Sequence, residues 1–253
     1  MVRVAGAERK RAALATQRLA ARADRPRSVV IASYARPRAC PNLTPLLALL
    51  LERYGVPVVV HGPTGDGDGR GGSATWEVLR ELGILPAGSI AAANSRLASG
   101  RLVYVDASLI GAAAPDDGSS VAATRRMAAL VDPFGGAGVR IVGATGGGSL
   151  ASLRAYLVAT AADALLLRAT GGEPFADPRQ PPRIECYLRG AIAVLFEARA
   201  SEQPPARLPP PGDAAAIAAW TAGVLAGRVP IPRAILNELA CCMHAVRRDG
   251  TPE

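Results

Sequence analysis

The sequence predicts an α/β protein with a mainly parallel sheet flanked by helices. Three observations carry this expectation. An apolar, β-branched run, Val29-Val-Ile-Ala32, leads through a polar loop into a leucine-rich segment, Leu43–Tyr54, and then into a second apolar run that stops at His61-Gly62. Strand, loop, helix and strand in that order form the repeating unit of a parallel sheet. Further short apolar runs, Leu102–Val105, Val139–Val142 and Ala164–Leu167, alternate with segments of helical character. Finally, 49% of the 253 residues are hydrophobic while only 4% are aromatic, so Ala, Leu and Val must build the core. A chain of this length is near the upper size for one hydrophobic core. The economical division is a basic N-terminal helix over residues 1–28 and one α/β domain over residues 29–253.

Each element has a local reason. Arg9–Ala23 contains helix formers throughout, with Ala13, Leu14, Leu19 and Ala20 on one stripe. Asn42 or Thr44 caps the leucine-rich helix, and Gly55 lies just past its end. Gly62–Gly72 is rich in Gly and Asp and reads as a surface loop. Ser73 or Thr75 caps a helix running to Leu82, and Ser89–Ser99 forms another. Val121–Leu130 is helical, closing on Asp132-Pro133. The glycine-rich stretch Gly143–Gly148 precedes a helix over Ser149–Ala162; we read it as a tight turn in preference to an anion cradle. Ile184–Arg189 and Ala191–Phe196 flank Gly190 and pair as a hairpin. The proline-rich stretch 202–212 is a linker, Asp213 caps a helix to Leu225, and Pro232 opens the last helix, to about Val246.

Charge is unevenly placed. Residues 1–28 hold eight basic and two acidic groups, +6 of the net +8. Arginine supplies all the basic residues except Lys10. A basic arm attracts phosphate polymers with steep salt dependence. A solvated helix face is the plainer reading, and an Arg-rich transit peptide is a third. No apolar run approaches the roughly 18 residues that span a bilayer, and no secretory signal is evident, so no membrane partner and a cytoplasmic location are expected. Cys40, Cys186, Cys241 and Cys242 have neither disulfide nor zinc spacing. Asp66 and Asp68 lie in a loop that matches neither a Walker A loop nor an EF-hand.

Several segments resemble a known family. Asn42-Leu43-Thr44 and Val60-His61-Gly62 are similar to the Asn-Ile-Ser and Lys-His-Gly segments of the anthranilate phosphoribosyltransferases. Ser33-Tyr34 followed by Pro41-Asn42-Leu43-Thr44-Pro45 looks more like the nucleic-acid-binding, YbiB-type branch of that family. Ala161–Pro174 with Asp177-Pro-Arg179, and Pro230–Cys242, resemble the same branch, and the likeness runs in order over roughly residues 10 to 246. It implies a nucleoside phosphorylase/phosphoribosyltransferase-like fold, and it makes the N-terminal helix a remnant of a larger helical domain. A homodimer is open on this view, since the family's dimer contacts involve that helical domain.

The resemblance also names an ancestral ligand cleft, Ser33, Asn42, Thr44, His61, Gly62 and Glu173. Within it the transferase pattern is depleted. The family's adjacent carboxylate pair is replaced by Thr170-Gly-Gly-Glu173-Pro174, and its glycine-rich pyrophosphate loop by Ser33–Arg38. Pro37 and Pro41 have no N–H to offer a phosphate. No other catalytic constellation stands in for these losses. The expectation is therefore a non-catalytic binder of nucleic acid, single-stranded or without sequence preference, using Arg36, Arg38, Arg70, Arg168, Arg179 and Arg183 on phosphates. No cofactor and no metal are expected. Magnesium enters only under the alternative, a phosphoribosyltransferase working through carboxylates and ribosyl diphosphate.

Overall fold

The computed structural model describes residues 19, 27–34, 40–65, 73–111, 129–134, 137–144, 147–168, 170, 173–198 and 207–247. Residues 9–18 and 20–23 of the first expected helix and 121–128 of the later one lie outside these residues, as do Arg36, Arg38 and Arg70. Seven strands form one sheet in the order β3-β2-β1-β4-β5-β6-β7. They are β1 (Val29–Ala32), β2 (Val58–Gly62), β3 (Val103–Asp106), β4 (Val139–Gly143), β5 (Ala164–Leu167), β6 (Ile184–Leu188) and β7 (Ala191–Phe196). The first five run parallel; β6 is antiparallel to β5, and β7 to β6. The helices are α1 (Thr44–Arg53), α2 (Thr75–Glu81), α3 (Ile90–Ala98), α4 (Gly147–Ala159), α5 (Ala214–Leu225) and α6 (Arg233–Val246).

Side-chain alternation along the strands builds the layers. Val29 and Ile31 of β1, Val58 and Val60 of β2, and Leu165 and Leu167 of β5 join the largest core, with Leu46, Leu47 and Leu51 of α1 and Ile235, Leu239 and Cys242 of α6. The intervening residues face the other way. Val30, Val59, Val103 and Val105 pack with Ile90, Ala93 and Leu97 of α3, and Val142, Ala164 and Leu166 with Leu153 and Leu157 of α4. Both faces being covered, the parallel strands are apolar throughout, as such sheets require.

Local signals are realised with two exceptions, the first being α1, whose cap position is Leu43 rather than Asn42 or Thr44, with Thr44 its first helical residue. Gly55 follows α1 at φ +78°. Ser89 accepts from the Ala92 N–H at 3.1 Å, and Asp213 from the Ala216 N–H at 2.9 Å. Arg189 and Gly190, at φ +51° and +79°, make the two-residue turn of the β6–β7 hairpin. The second exception is α2. Its cap position is Ala74, with Glu77 Oε2 accepting the Ala74 N–H at 2.8 Å. Thr75 is instead the first helical residue, because its hydroxyl is engaged by Asn42.

The N-terminal edge of the sheet is closed by Arg27. Its guanidinium pairs with Asp163 at 2.5 Å and donates to the carbonyls of Ala137 and Gly138. Asp163 in turn accepts from the Arg189 N–H at 2.6 Å. Leu19 is buried beside Phe134 and donates its N–H to Pro133 O at 3.0 Å. Two residues of the basic N-terminal segment are therefore part of the α/β core and its border.

Glu238 of α6 is fully buried, and its Oε2 accepts the Ala176 N–H at 2.7 Å. Burial raises its pKa from the usual 4.5 to about 8, so the native carboxyl is protonated at neutral pH. The unfolded chain loses this proton at a lower pH than the native chain does. Stability is therefore fully present below about pH 4.5 and declines as pH rises towards 8. Glu238→Gln is expected to remove this decline, read from urea unfolding midpoints at about pH 5 and about pH 8; an equal decline in the variant would assign it to other groups.

Candidate functional site

In a doubly wound sheet, ligands collect beyond the carboxyl ends of the strands, where the strand order reverses. Here that point lies between β1 and β4. Ser33 continues β1 and donates its N–H to His61 O at 2.7 Å. The loop that returns to α1 brings in Asn42. Its amide donates to Ser73 O at 3.1 Å and to Thr75 Oγ1 at 2.9 Å, and its Oδ1 accepts the Thr44 N–H at 3.1 Å. The Ser33 hydroxyl bonds to the same Thr75 hydroxyl. Ser33, Asn42, Thr44, Ser73 and Thr75 are all buried.

His61 and Gly62 close the floor. A Cβ at position 62 would collide with the Ser33 carbonyl and lie 2.8 Å from the Tyr104 hydroxyl, so only glycine fits. The His61 ring is fully buried and edge-on to Tyr34, with centroids 5.7 Å apart and Nδ1 3.2 Å from the Tyr34 hydroxyl. Its Nε2 meets no partner among the described residues. Burial lowers its pKa to about 4, so the ring is neutral at pH 7. Burial first, and then the Asp106 charge, pushes the Tyr34 phenol up. Nothing in the sequence singles out Asp106, at the end of β3. One of its oxygens accepts from Thr64 N–H and Oγ1 at 3.0 and 2.6 Å, the other from Ser108 N–H and Oγ at 2.9 and 2.5 Å. It fixes the loop after β2 onto the end of β3.

The second corner of the site follows β5. Arg168 is half-buried, and its N–H donates to Arg183 O at 3.0 Å. Glu173 sits in a turn in which its N–H donates to Thr170 O at 3.2 Å and its carbonyl accepts the Thr170 hydroxyl at 2.8 Å. Arg179 grips Asp177 through both oxygens, at 3.0 and 2.7 Å. Arg183 is held by Glu185 at 3.2 Å and Glu197 at 2.8 Å, and Glu185 also takes the fork of Arg154. Of the six arginines expected to meet phosphate, three are among the described residues, and two of those are already neutralised by carboxylates. Both acids lie two residues from their arginine in the sequence, Asp177-Pro-Arg179 and Arg183-Ile-Glu185, which was the available signal.

The described carboxylates near the second corner are engaged or apart. Both oxygens of Asp177 are engaged by Arg179. No three His, Cys, Asp or Glu side chains among the described residues come together as a metal site. The thiols are also poor nucleophiles. Burial pushes Cys40 up to about 11 and Cys241 to about 12, and it raises Cys186 and Cys242 as well.

No family model matches the chain. It is 30% identical over 246 residues to the Escherichia coli (strain K12) protein YbiB, covering 93% of this chain and 75% of that protein. Among solved structures it is similar to the anthranilate phosphoribosyltransferase (TrpD) of Thermus thermophilus. The TM-score is 0.62 at 18% identity, over 90% of this chain and 69% of the other. The anthranilate phosphoribosyltransferase from Saccharomyces cerevisiae in complex with PRPP and Mg aligns with a TM-score of 0.42 at 12% identity, over 86% and 69%. The phosphoribosyltransferase-like fold expected from the sequence is thus present.

Two outcomes are expected at this site. Asn42→Ala strands Thr44 N–H, Ser73 O and Thr75 in a buried place, and should cost about 2–3 kcal/mol in chemical denaturation. His61 binds its proton more weakly in the native chain than in the unfolded one, so it lowers stability as pH falls from 6.5 towards 4. The stability difference between His61→Gln and the unsubstituted chain should therefore shift in favour of the variant across that window. A difference that stays constant with pH would show that His61 does not titrate there.

Proposed function

We propose, from the premise that the chain belongs to the family of the Escherichia coli protein YbiB, that it is a non-catalytic nucleic-acid-binding protein built on a phosphoribosyltransferase-like scaffold. One observation carries the non-catalytic half. The polar groups at the switch point are buried and hydrogen-bonded to one another, so few donors remain for a pyrophosphate. The carboxylates that a magnesium ion would need are dispersed or paired with arginine.

The binding half rests on charge and on the sequence resemblance to the nucleic-acid-binding branch. Arg36 and Arg38 lie between Tyr34 and Cys40, after β1; Arg70 lies between Gly65 and Ser73, after β2; Arg168 follows β5. Only Arg168 is among the described residues, at the carboxyl end of β5; Arg36, Arg38 and Arg70 enter this reading from the sequence alone. Arg179 and Arg183 contribute less in this reading, since Asp177, Glu185 and Glu197 offset their charge. The basic segment 1–28 adds most of the net charge. With few aromatics to stack on bases, contact is with the phosphate backbone and sequence preference is weak.

The test is fluorescence anisotropy of a labelled single-stranded oligonucleotide, titrated with the full chain between about 50 and about 200 mM salt. Leu19 and Arg27 belong to the fold, so the arm is probed by substitution in place rather than by deletion. Arg168→Gln should weaken binding to all sequences alike and reduce the logarithmic salt slope by about 0.7. Replacing Arg9, Lys10 and Arg11 together by Gln reports the arm's share. Absence of binding at low salt would overturn the proposal. Magnesium-dependent thermal stabilisation by phosphoribosyl diphosphate would instead restore the transferase reading.

A further inference from the structure

Seven large hydrophobic side chains are exposed among the described residues, and three of them, Val158, Ile192 and Val194, wall one groove. It runs between α4 and the β6–β7 hairpin and holds about 510 Å³. Helix α4 covers β4, β5 and Tyr187 of β6. Ile192 and Val194 of β7 lie past that cover and are 56% and 42% exposed. A volume of this size is that of a small-molecule site.

The polar lining is built around Glu185, whose side chain is buried. Both of its oxygens are filled. Oε1 accepts from Arg154 Nη2 and from Arg183 Nε at 3.2 Å; Oε2 accepts from Arg154 Nε at 2.9 Å and from the Tyr187 hydroxyl at 3.1 Å. One buried carboxylate thereby holds two guanidiniums at the groove. Each guanidinium keeps an outer edge, because Arg154 Nη1 and Arg183 Nη2 donate to none of the described residues. Their side chains are 40% and 28% exposed, so both remain reachable from solvent. Within the lining, two cations stand against one carboxylate. Glu197 also takes Arg183 Nη1, at 2.8 Å, but lies outside the lining and is exposed, so water screens its pull.

Aliphatic walls beside fixed guanidinium edges select a ligand that is both apolar and anionic. A cation meets Arg154 and Arg183. A sugar or a dicarboxylate sets polar groups against Val158, Ile192 and Val194, where nothing answers them. A neutral hydrocarbon leaves the outer N–H groups unanswered. A nucleic-acid strand meets Glu185 and Glu197, and the one aromatic residue of the lining, Tyr187, is buried and offers no face to a base. We infer that the groove binds a free aliphatic monocarboxylate. Its carboxylate is taken by the outer edges of Arg154 and Arg183, and its chain lies along Val158, Ile192 and Val194. This inference is independent of nucleic-acid binding at the carboxyl ends of the strands.

Isothermal titration calorimetry of the full chain with octanoate tests it. One octanoate per chain should bind, with Kd below about 1 mM and a negative heat-capacity change from apolar burial. Octanol and octylammonium carry the same chain without the anion, and should bind at least about tenfold more weakly. Arg154→Gln should weaken octanoate by at least about tenfold. Arg183 and Tyr187 still hold Glu185 in that variant. Val158→Glu alters an exposed helix residue, which spares the fold, and adds a like charge to the wall; it should weaken octanoate by at least about fivefold. Tyr156→Glu, exposed on the same helix but outside the groove lining, should bind octanoate as the unsubstituted chain does. No saturable binding up to about 5 mM, equal binding of octanol, or undiminished binding by Val158→Glu would overturn the inference.

Discussion

Asn42 fastens three separate stretches of this chain at one buried point. Its amide holds the start of α2 through Ser73 and Thr75, its carbonyl oxygen holds the start of α1 through Thr44, and the shared Thr75 hydroxyl reaches back to Ser33 at the end of β1. A buried polar group is tolerated only when it is hydrogen-bonded. Each of these groups finds its partner in another member of the set. The arrangement fixes the described part of the carboxyl end of the sheet. Gly62 serves the same end, since the strand passes so near the Ser33 carbonyl that no Cβ fits.

Charge is used differently at the two ends of the strands. At the amino end, Arg27 bridges the borders of β4 and β5 through Gly138 and Asp163, with both charged side chains nearly buried. Breaking such a pair leaves an uncompensated charge, which makes it a structural tie and withdraws it from any binding role. Beyond the carboxyl end of β5, Arg179 and Arg183 meet carboxylates within their own loop and hairpin, and Arg154 reaches Glu185 from α4. The basic surplus lies mainly in residues 1–28, which carry +6 of the net +8. The sheet itself is nearly neutral, and its last strand, β7, is apolar throughout.

Much of the fold was legible locally. Strict alternation sends Val29 and Ile31 to one face and Val30 to the other, and both are buried because helices cover both faces. Ser89, Asp213 and Gly55 act within one turn of where they stand, which is why their roles can be read from sequence. Thr75 could not be read in the same way. Its hydroxyl answers Asn42, 33 residues earlier, and the cap of α2 falls to Ala74 instead. Asp106 was invisible for a similar reason, since it acts on Thr64, 42 residues before it.

The sequence by itself determined the alternation of strands and helices, the hairpin at Arg189-Gly190 and the placing of most of the net positive charge before residue 29. These follow from periodicity, from backbone preference at glycine and from composition, all of which act over short stretches. Only the tertiary structure decided which polar groups are spent on one another. Glu197 meets Arg183 only across the hairpin, and the full burial of His61, expected as a member of the ancestral cleft, exists only in the packed sheet. Partnership and burial depend on distances between residues far apart in the chain, and those distances exist only once the layers have packed.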